Sequence, residues 1–121
     1  MQVLGLTDEI IKKIKADIPE LVQKILQDDL VEVVLYGSCA RGDYTDDSDI
    51  DIALITKSDR LEVKKYASDL AAVATELAMK YFVIVNFVCL PYEEYIEKKS
   101  WYSYFRNIEN EGVILYGAGV L

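Results

Sequence analysis

Two acids, Asp49 and Asp51, alternate with Ile50 and Ile52 at the head of an apolar run, and Gly37-Ser38 closes an earlier apolar run ten residues before them. Alternate residues of a strand share a face. A strand through these residues therefore sets the two carboxylates side by side, about 6.5–7 Å apart at their Cα atoms, and turns the isoleucines into a core. Carboxylates suit hard divalent cations such as Mg²⁺. A glycine lets a phosphate approach the backbone closely, and a serine adds N–H and hydroxyl donors. The pattern is that needed to hold a divalent metal against a phosphate chain. Taken alone, the acid pair reads better as a solvated strand end than as a metal site.

The elements that must position these groups can be read around them. Residues 30–36 are β-branched and bounded by Asp28-Asp29 and Gly37, which predicts a buried strand. Residues 38–41 predict a single helical turn and residues 43–48 a polar loop, in which Asp46 and Asp47 serve solvation and turn formation. The second strand covers 49–56. Upstream, residues 7–27 carry apolar side chains at helical spacing, interrupted by Pro19, which predicts a kink or two helices. Downstream, Val63, Tyr66, Leu70, Val73 and Leu77 follow a three-four-three-four spacing, predicting one amphipathic helix over 60–80. A third strand is expected over 81–90, closed by Pro91, then a helix over 92–99. Trp101, Phe105 and Ile108 suggest a further helical face, with Trp101, Tyr104 and Phe105 read as core, a partner-binding face being the lesser alternative, and Gly112 as the helix end. Residues 113–116 read as a short strand or an extended tail. The fold class is α/β (α+β), a single domain over 1–121 with a mixed sheet of three to four strands.

Composition narrows the chemistry. The 121 residues include no histidine, which excludes Ser-His-Asp triads and His-ligated zinc. Cys39 and Cys89 have no metal-ligand spacing and fit a reducing compartment. Cys39 beside the glycine turn reads as a space filler, since no base is at hand to activate it. No apolar run reaches membrane-spanning length and no secretory signal is evident, so a cytoplasmic protein is expected. A formal charge of −8 with scattered lysines and arginines disfavours extended nucleic-acid binding. A basic protein partner, or a small ligand with its own counter-ions, fits that charge. Self-association is left open.

The string Gly37-Ser38, ten residues, Asp49-Ile50-Asp51 resembles the signature of the nucleotidyltransferase superfamily that includes DNA polymerase beta. The fuller pattern, Gly-Ser-x-Ala-Arg-Gly-Asp from Gly37 with Ser48-Asp49-Ile50-Asp51 before an apolar strand, is similar to the minimal nucleotidyltransferases, or MNT proteins. The likeness covers most of the chain, down to Phe105–Ile108 and Glu111–Val113. It implies that Gly37, Ser38 and Arg41 bind a nucleoside triphosphate, and that Asp49 and Asp51 are the catalytic ligands of one or two Mg²⁺ ions. It also implies transfer of a nucleoside monophosphate, AMP from ATP, to a hydroxyl. MNT proteins often act as antitoxins paired with a HEPN-domain protein, so the implied acceptor is a tyrosine of a HEPN-type toxin.

One departure stands out. The superfamily usually carries a third carboxylate on a later strand, as metal ligand or base, and the matching polar residue here is Asn86. An amide oxygen ligates Mg²⁺ weakly and takes no proton at neutral pH. Activity then is low, draws on another acid such as Asp47 or a partner's, or is lost. The alternative to the enzyme is accordingly a weak or inactive antitoxin that neutralises its partner by binding. An antibiotic-modifying type of nucleotidyltransferase is disfavoured by the absence of a second helical domain.

Overall fold

β1 (Leu30–Tyr36) and β2 (Ile50–Thr56) pair antiparallel, with Tyr36 opposite Asp51. β2 pairs in parallel with β3 (Val85–Pro91), which sets Asp51 opposite Asn86. β4 (Val113–Tyr116) lies antiparallel on the other side of β1, giving the order β3-β2-β1-β4. A parallel pair needs a crossover. α3 (Ala67–Tyr81) provides it between β2 and β3. This computed structural model describes residues 6–117. Among them, no helix is long and apolar enough to cross a membrane.

Period-two alternation divides the core into two layers. Val33, Leu35, Ile50, Ile52, Leu54 and Val85 face α1 (Asp8–Leu26) and α3. Val34, Ala53, Ile55 and Leu90 face the other way, onto Tyr95 of α4 (Tyr92–Lys98) and Phe105 and Ile108 of α5 (Ser103–Glu111). β2 is central and buried on both faces, which is why it reads as a near-continuous apolar run after Asp51. Asp51, the acid within β2, stands half-buried near the start of the strand.

The structure alters several expectations. Of the two alternatives at Pro19, two helices is overturned: α1 runs as one helix through it, capped by the Thr7 hydroxyl, which accepts from the Ile10 N–H at 3.2 Å. Ile11, Ile14, Ile18, Val22 and Leu26 are all buried along one stripe. At about 1.5–3 kcal/mol per buried aliphatic side chain, that stripe outweighs the roughly 3 kcal/mol an interior proline costs. The helix expected over 60–80 starts instead with a 3₁₀ segment, Glu62–Tyr66, before α3. Asp59 caps that segment by accepting from the N–H groups of Leu61 and Glu62. Tyr66 anchors its end by donating to Asp29 at 2.6 Å. The third strand starts at Val85, because α3 extends to Tyr81 and closes with Phe82 in the left-handed region (φ 57°).

Trp101 and Tyr104 are not core. Trp101 is 62% exposed in the turn before α5, and Tyr104 is 40% exposed, whereas Phe105 is buried as expected. Residues 113–116 form a strand rather than a tail, because β1 has a free side for β4 to pair with.

Pro19→Ala restores a backbone donor to α1 without disturbing the buried stripe. It is expected to raise stability by about 1–2 kcal/mol in urea denaturation. A lowered midpoint would show that the proline ring is needed for packing.

Candidate active site

Asp51 belongs to the β2 face that carries Ala53 and Ile55, and Asp49 precedes the strand on the same parity. α4 and α5 cover the later residues of this face, and both acids are left half-buried at its open end. Ile50 and Ile52 on the opposite face are 1% and 0% exposed, so the register cannot slip without burying the carboxylates. The strand begins at Ile50, one residue later than expected. The Ile50 N–H still donates to the Ile84 carbonyl at 2.8 Å and fixes the start of β2 against β3.

Parallel register brings Asn86 onto the acid face. Its Nδ2 donates to Asp49 Oδ2 at 3.1 Å and to Asp51 Oδ1 at 3.2 Å, so one amide bridges both carboxylates. Among the described residues, no group of three or more cysteine, aspartate or glutamate side chains is placed to hold a metal. The third position is occupied by the amide. The residues present do fit a hard cation that also takes phosphate oxygens: two carboxylates stand together at an open edge, and a flipped Asn86 would present its oxygen in place of its N–H groups.

Gly37 ends β1 at φ 79°, and a Cβ there would stand 2.7 Å from Asp51 Oδ2. Both the backbone region and the close approach call for glycine. Ser38 opens α2 (Ser38–Arg41), directly beyond this contact. Cys39 is buried, and its Sγ donates to the Asp49 carbonyl at 3.4 Å. Burial and the charges of Asp51 and Asp49 push its thiol up against the opposing pull of Ser38, as befits a packing residue. Arg41 is held elsewhere: its Nη1 donates to Glu111 at 3.0 Å and its Nε to Asp43 at 3.3 Å. Glu111 and then Asp43 raise its already high pKa. To touch a triphosphate, Arg41 would exchange these exposed partners for phosphate oxygens, a small cost for surface ion pairs.

Asp46 and Asp47 lie in the loop before β2, as expected, with the Asp47 N–H donating to the Thr45 hydroxyl at 3.3 Å. Sequence reasoning missed two neighbours. Tyr36 sits opposite Asp51, and its hydroxyl is 3.0 Å from that of Tyr104. Burial, Tyr104 and the Asp51 charge all push the Tyr36 hydroxyl up, which keeps it protonated. Ile84 lies two residues before Asn86 and so shares the acid face, 61% exposed. Its parity with Asn86 was the available signal.

The Nucleotidyltransferase domain family model matches residues 10–115. Two Methanocaldococcus jannaschii proteins that carry the provisional name protein adenylyltransferase are similar to this chain. One is 41% identical over 85 residues, covering 70% of this chain and 77% of that protein. The other is 33% identical over 105 residues, covering 87% of this chain and 94% of that protein. A structure of a tri-AMPylated HEPN toxin of Shewanella oneidensis in complex with an MNT antitoxin contains a chain of the same fold. Its TM-score is 0.53 at 20% identity, covering 89% of this chain and 73% of that one.

Asn86→Asp would replace a bridging donor with a third carboxylate beside two others. In chelator the variant is expected to lose about 1–3 kcal/mol of stability, and Mg²⁺ should restore it. Melting curves with and without Mg²⁺ check this, and equal melting in both would count against a cation at this position.

Proposed function

This chain belongs to the nucleotidyltransferase domain family, and from that premise we propose that it transfers AMP from ATP to a tyrosine hydroxyl of a HEPN-domain partner. In this reading it acts in the cytoplasm as the antitoxin of a pair. The observation that carries the reading is the convergence of Asp49 and Asp51 on one open strand end, against the glycine turn and under the Asn86 amide.

Each residue then has a task. Gly37 admits the triphosphate to the backbone, and Ser38 donates to its oxygens. Asp49 and Asp51 hold one or two Mg²⁺ ions, with Asn86 turned to offer its amide oxygen. Bound Mg²⁺ supplies charge stabilisation to the phosphoryl group in flight. Arg41, released from Glu111 and Asp43, neutralises the triphosphate. The tyrosine oxygen forms a bond to the α-phosphorus as the bond from that phosphorus to the β-phosphate bridge breaks, and pyrophosphate leaves. Asn86 cannot accept the phenolic proton, so it passes to solvent. The Shewanella oneidensis HEPN toxin bound to an MNT antitoxin is tri-AMPylated, and the Methanocaldococcus jannaschii relatives bear the adenylyltransferase name. Both support AMP as the transferred group.

Asn86 also favours a second reading. With an amide in the third position, the fold would serve as an antitoxin that inhibits by binding and transfers little or nothing.

Mass spectrometry of a HEPN partner incubated with this protein, ATP and Mg²⁺ separates the two. Transfer predicts one or more AMP additions on the partner that vanish without Mg²⁺. It also predicts their loss with Asp49→Asn/Asp51→Asn, whose fold is intact or stabilised because two neighbouring like charges are gone. A stable complex with no mass gain would establish the binding antitoxin instead. Asn86→Asp should raise transfer if that position is the missing third acid.

A further inference from the structure

We propose that the acceptor reaches the acid pair from the β3 side, through a cavity that receives a basic, apolar, tyrosine-bearing polypeptide segment. This rests on the nucleotidyl-transfer reading above and assigns its acceptor site. In-line displacement requires the incoming oxygen and the departing pyrophosphate on opposite sides of phosphorus. Gly37 and Ser38, which take the phosphates in that reading, lie at the end of β1, on one side of β2. The nucleophile must then come from the other side of β2, where β3 lies. Tyr36 and Tyr104 are thereby excluded as acceptors, since β1 carries Tyr36 and Tyr104 bonds to it.

The β3 side has a receptacle. A cavity of about 310 Å³ is lined by Asp46, Asp47, Ser48 and Asp49 on one wall and Phe82, Val83 and Ile84 on the other. Asp49 belongs both to this cavity and to the acid pair. The apolar wall is held firmly, with Val83 buried and the Ile84 carbonyl bonded to Ile50, while Phe82 and Ile84 on either side are 59% and 61% exposed. Phe82 is kept in the left-handed region, where an aromatic side chain is unusual. Two exposed large apolar groups beside three acids, with no basic residue among the described lining, complement a segment bearing both lysine or arginine and apolar side chains. The volume suits one or two side chains rather than a whole ligand. The chain's net charge of −8 favours the same class of partner.

The test uses two fluorescein-labelled peptides, each with one tyrosine flanked by leucines, one carrying lysines and the other glutamates. Anisotropy is read on the full chain with Mg²⁺ and a non-hydrolysable ATP analogue. The basic peptide is expected to bind at least about tenfold more tightly, and less tightly as salt rises. Asp46→Lys/Asp47→Lys should reverse the preference, and Ile84→Gln should weaken the binding of both peptides, with the melting temperature retained in each. Asp69→Lys/Glu76→Lys, which changes the same charge on the exposed face of α3, should leave the preference in place. Equal binding of the two peptides, no binding, or a preference that shifts equally with the α3 variant would overturn the proposal. Selective peptide binding without AMP transfer to any acceptor would leave the docking site standing and sink the transferase reading alone.

Discussion

The Asp51 carboxylate lies so near the backbone of Gly37 that a Cβ at that residue would stand 2.7 Å from its Oδ2. That approach joins the end of β1 to the start of β2 across their antiparallel pairing, and it demands both a glycine and a strand register that holds the acids outward. The register comes from the core. Ile50 and Ile52 are buried on the α1/α3 face, and sliding β2 by one residue would exchange them for carboxylates. The site is thus a by-product of burying β2 on both faces for most of its length and leaving one end uncovered.

Asn86 completes the arrangement from the opposite neighbour. Because β3 runs parallel to β2, the crossover through α3 delivers Asn86 next to Asp51 on the same face. Its amide donates to both carboxylates, which eases their mutual repulsion and orients them. A carboxylate there would have to be offset by a cation. The amide therefore leaves both carboxylates hydrogen-bonded with nothing bound between them. Arg41, bonded to Glu111 and Asp43, is likewise satisfied without a ligand. In the proposed reaction, a triphosphate and its metal would replace these internal partners, and their binding would be coupled.

Much of this was legible in the sequence for local reasons. The alternation through Asp49–Ile52, the Gly37 turn and the single helical turn after it depend on neighbouring residues, and the parity argument needs only a strand. Asn86 was picked out through the resemblance, as the polar residue on the strand where the superfamily carries its third carboxylate. What was misjudged depended on tertiary packing. The α1 stripe overrode Pro19, the Tyr66–Asp29 bond and the Asp59 cap divided the expected long helix, and Trp101 fell in a turn rather than on the α5 face. Ile84 and Tyr36 went unnoticed because each reads as an ordinary strand residue until the register shows which acid it adjoins. The ion pairs of Arg41 to Glu111, seventy positions away, have no local signal at all.

The central claim is that Asp49 and Asp51 form a cation site that a nucleotide completes. Titration of Mn²⁺ into the protein, followed by electron paramagnetic resonance with and without a non-hydrolysable ATP analogue, tests it most directly. The account predicts weak uptake by the protein alone, uptake beyond that of free analogue when both are present, and loss of that increment in Asp51→Asn. An increment that persists in Asp51→Asn, or that never appears with the analogue, would contradict it.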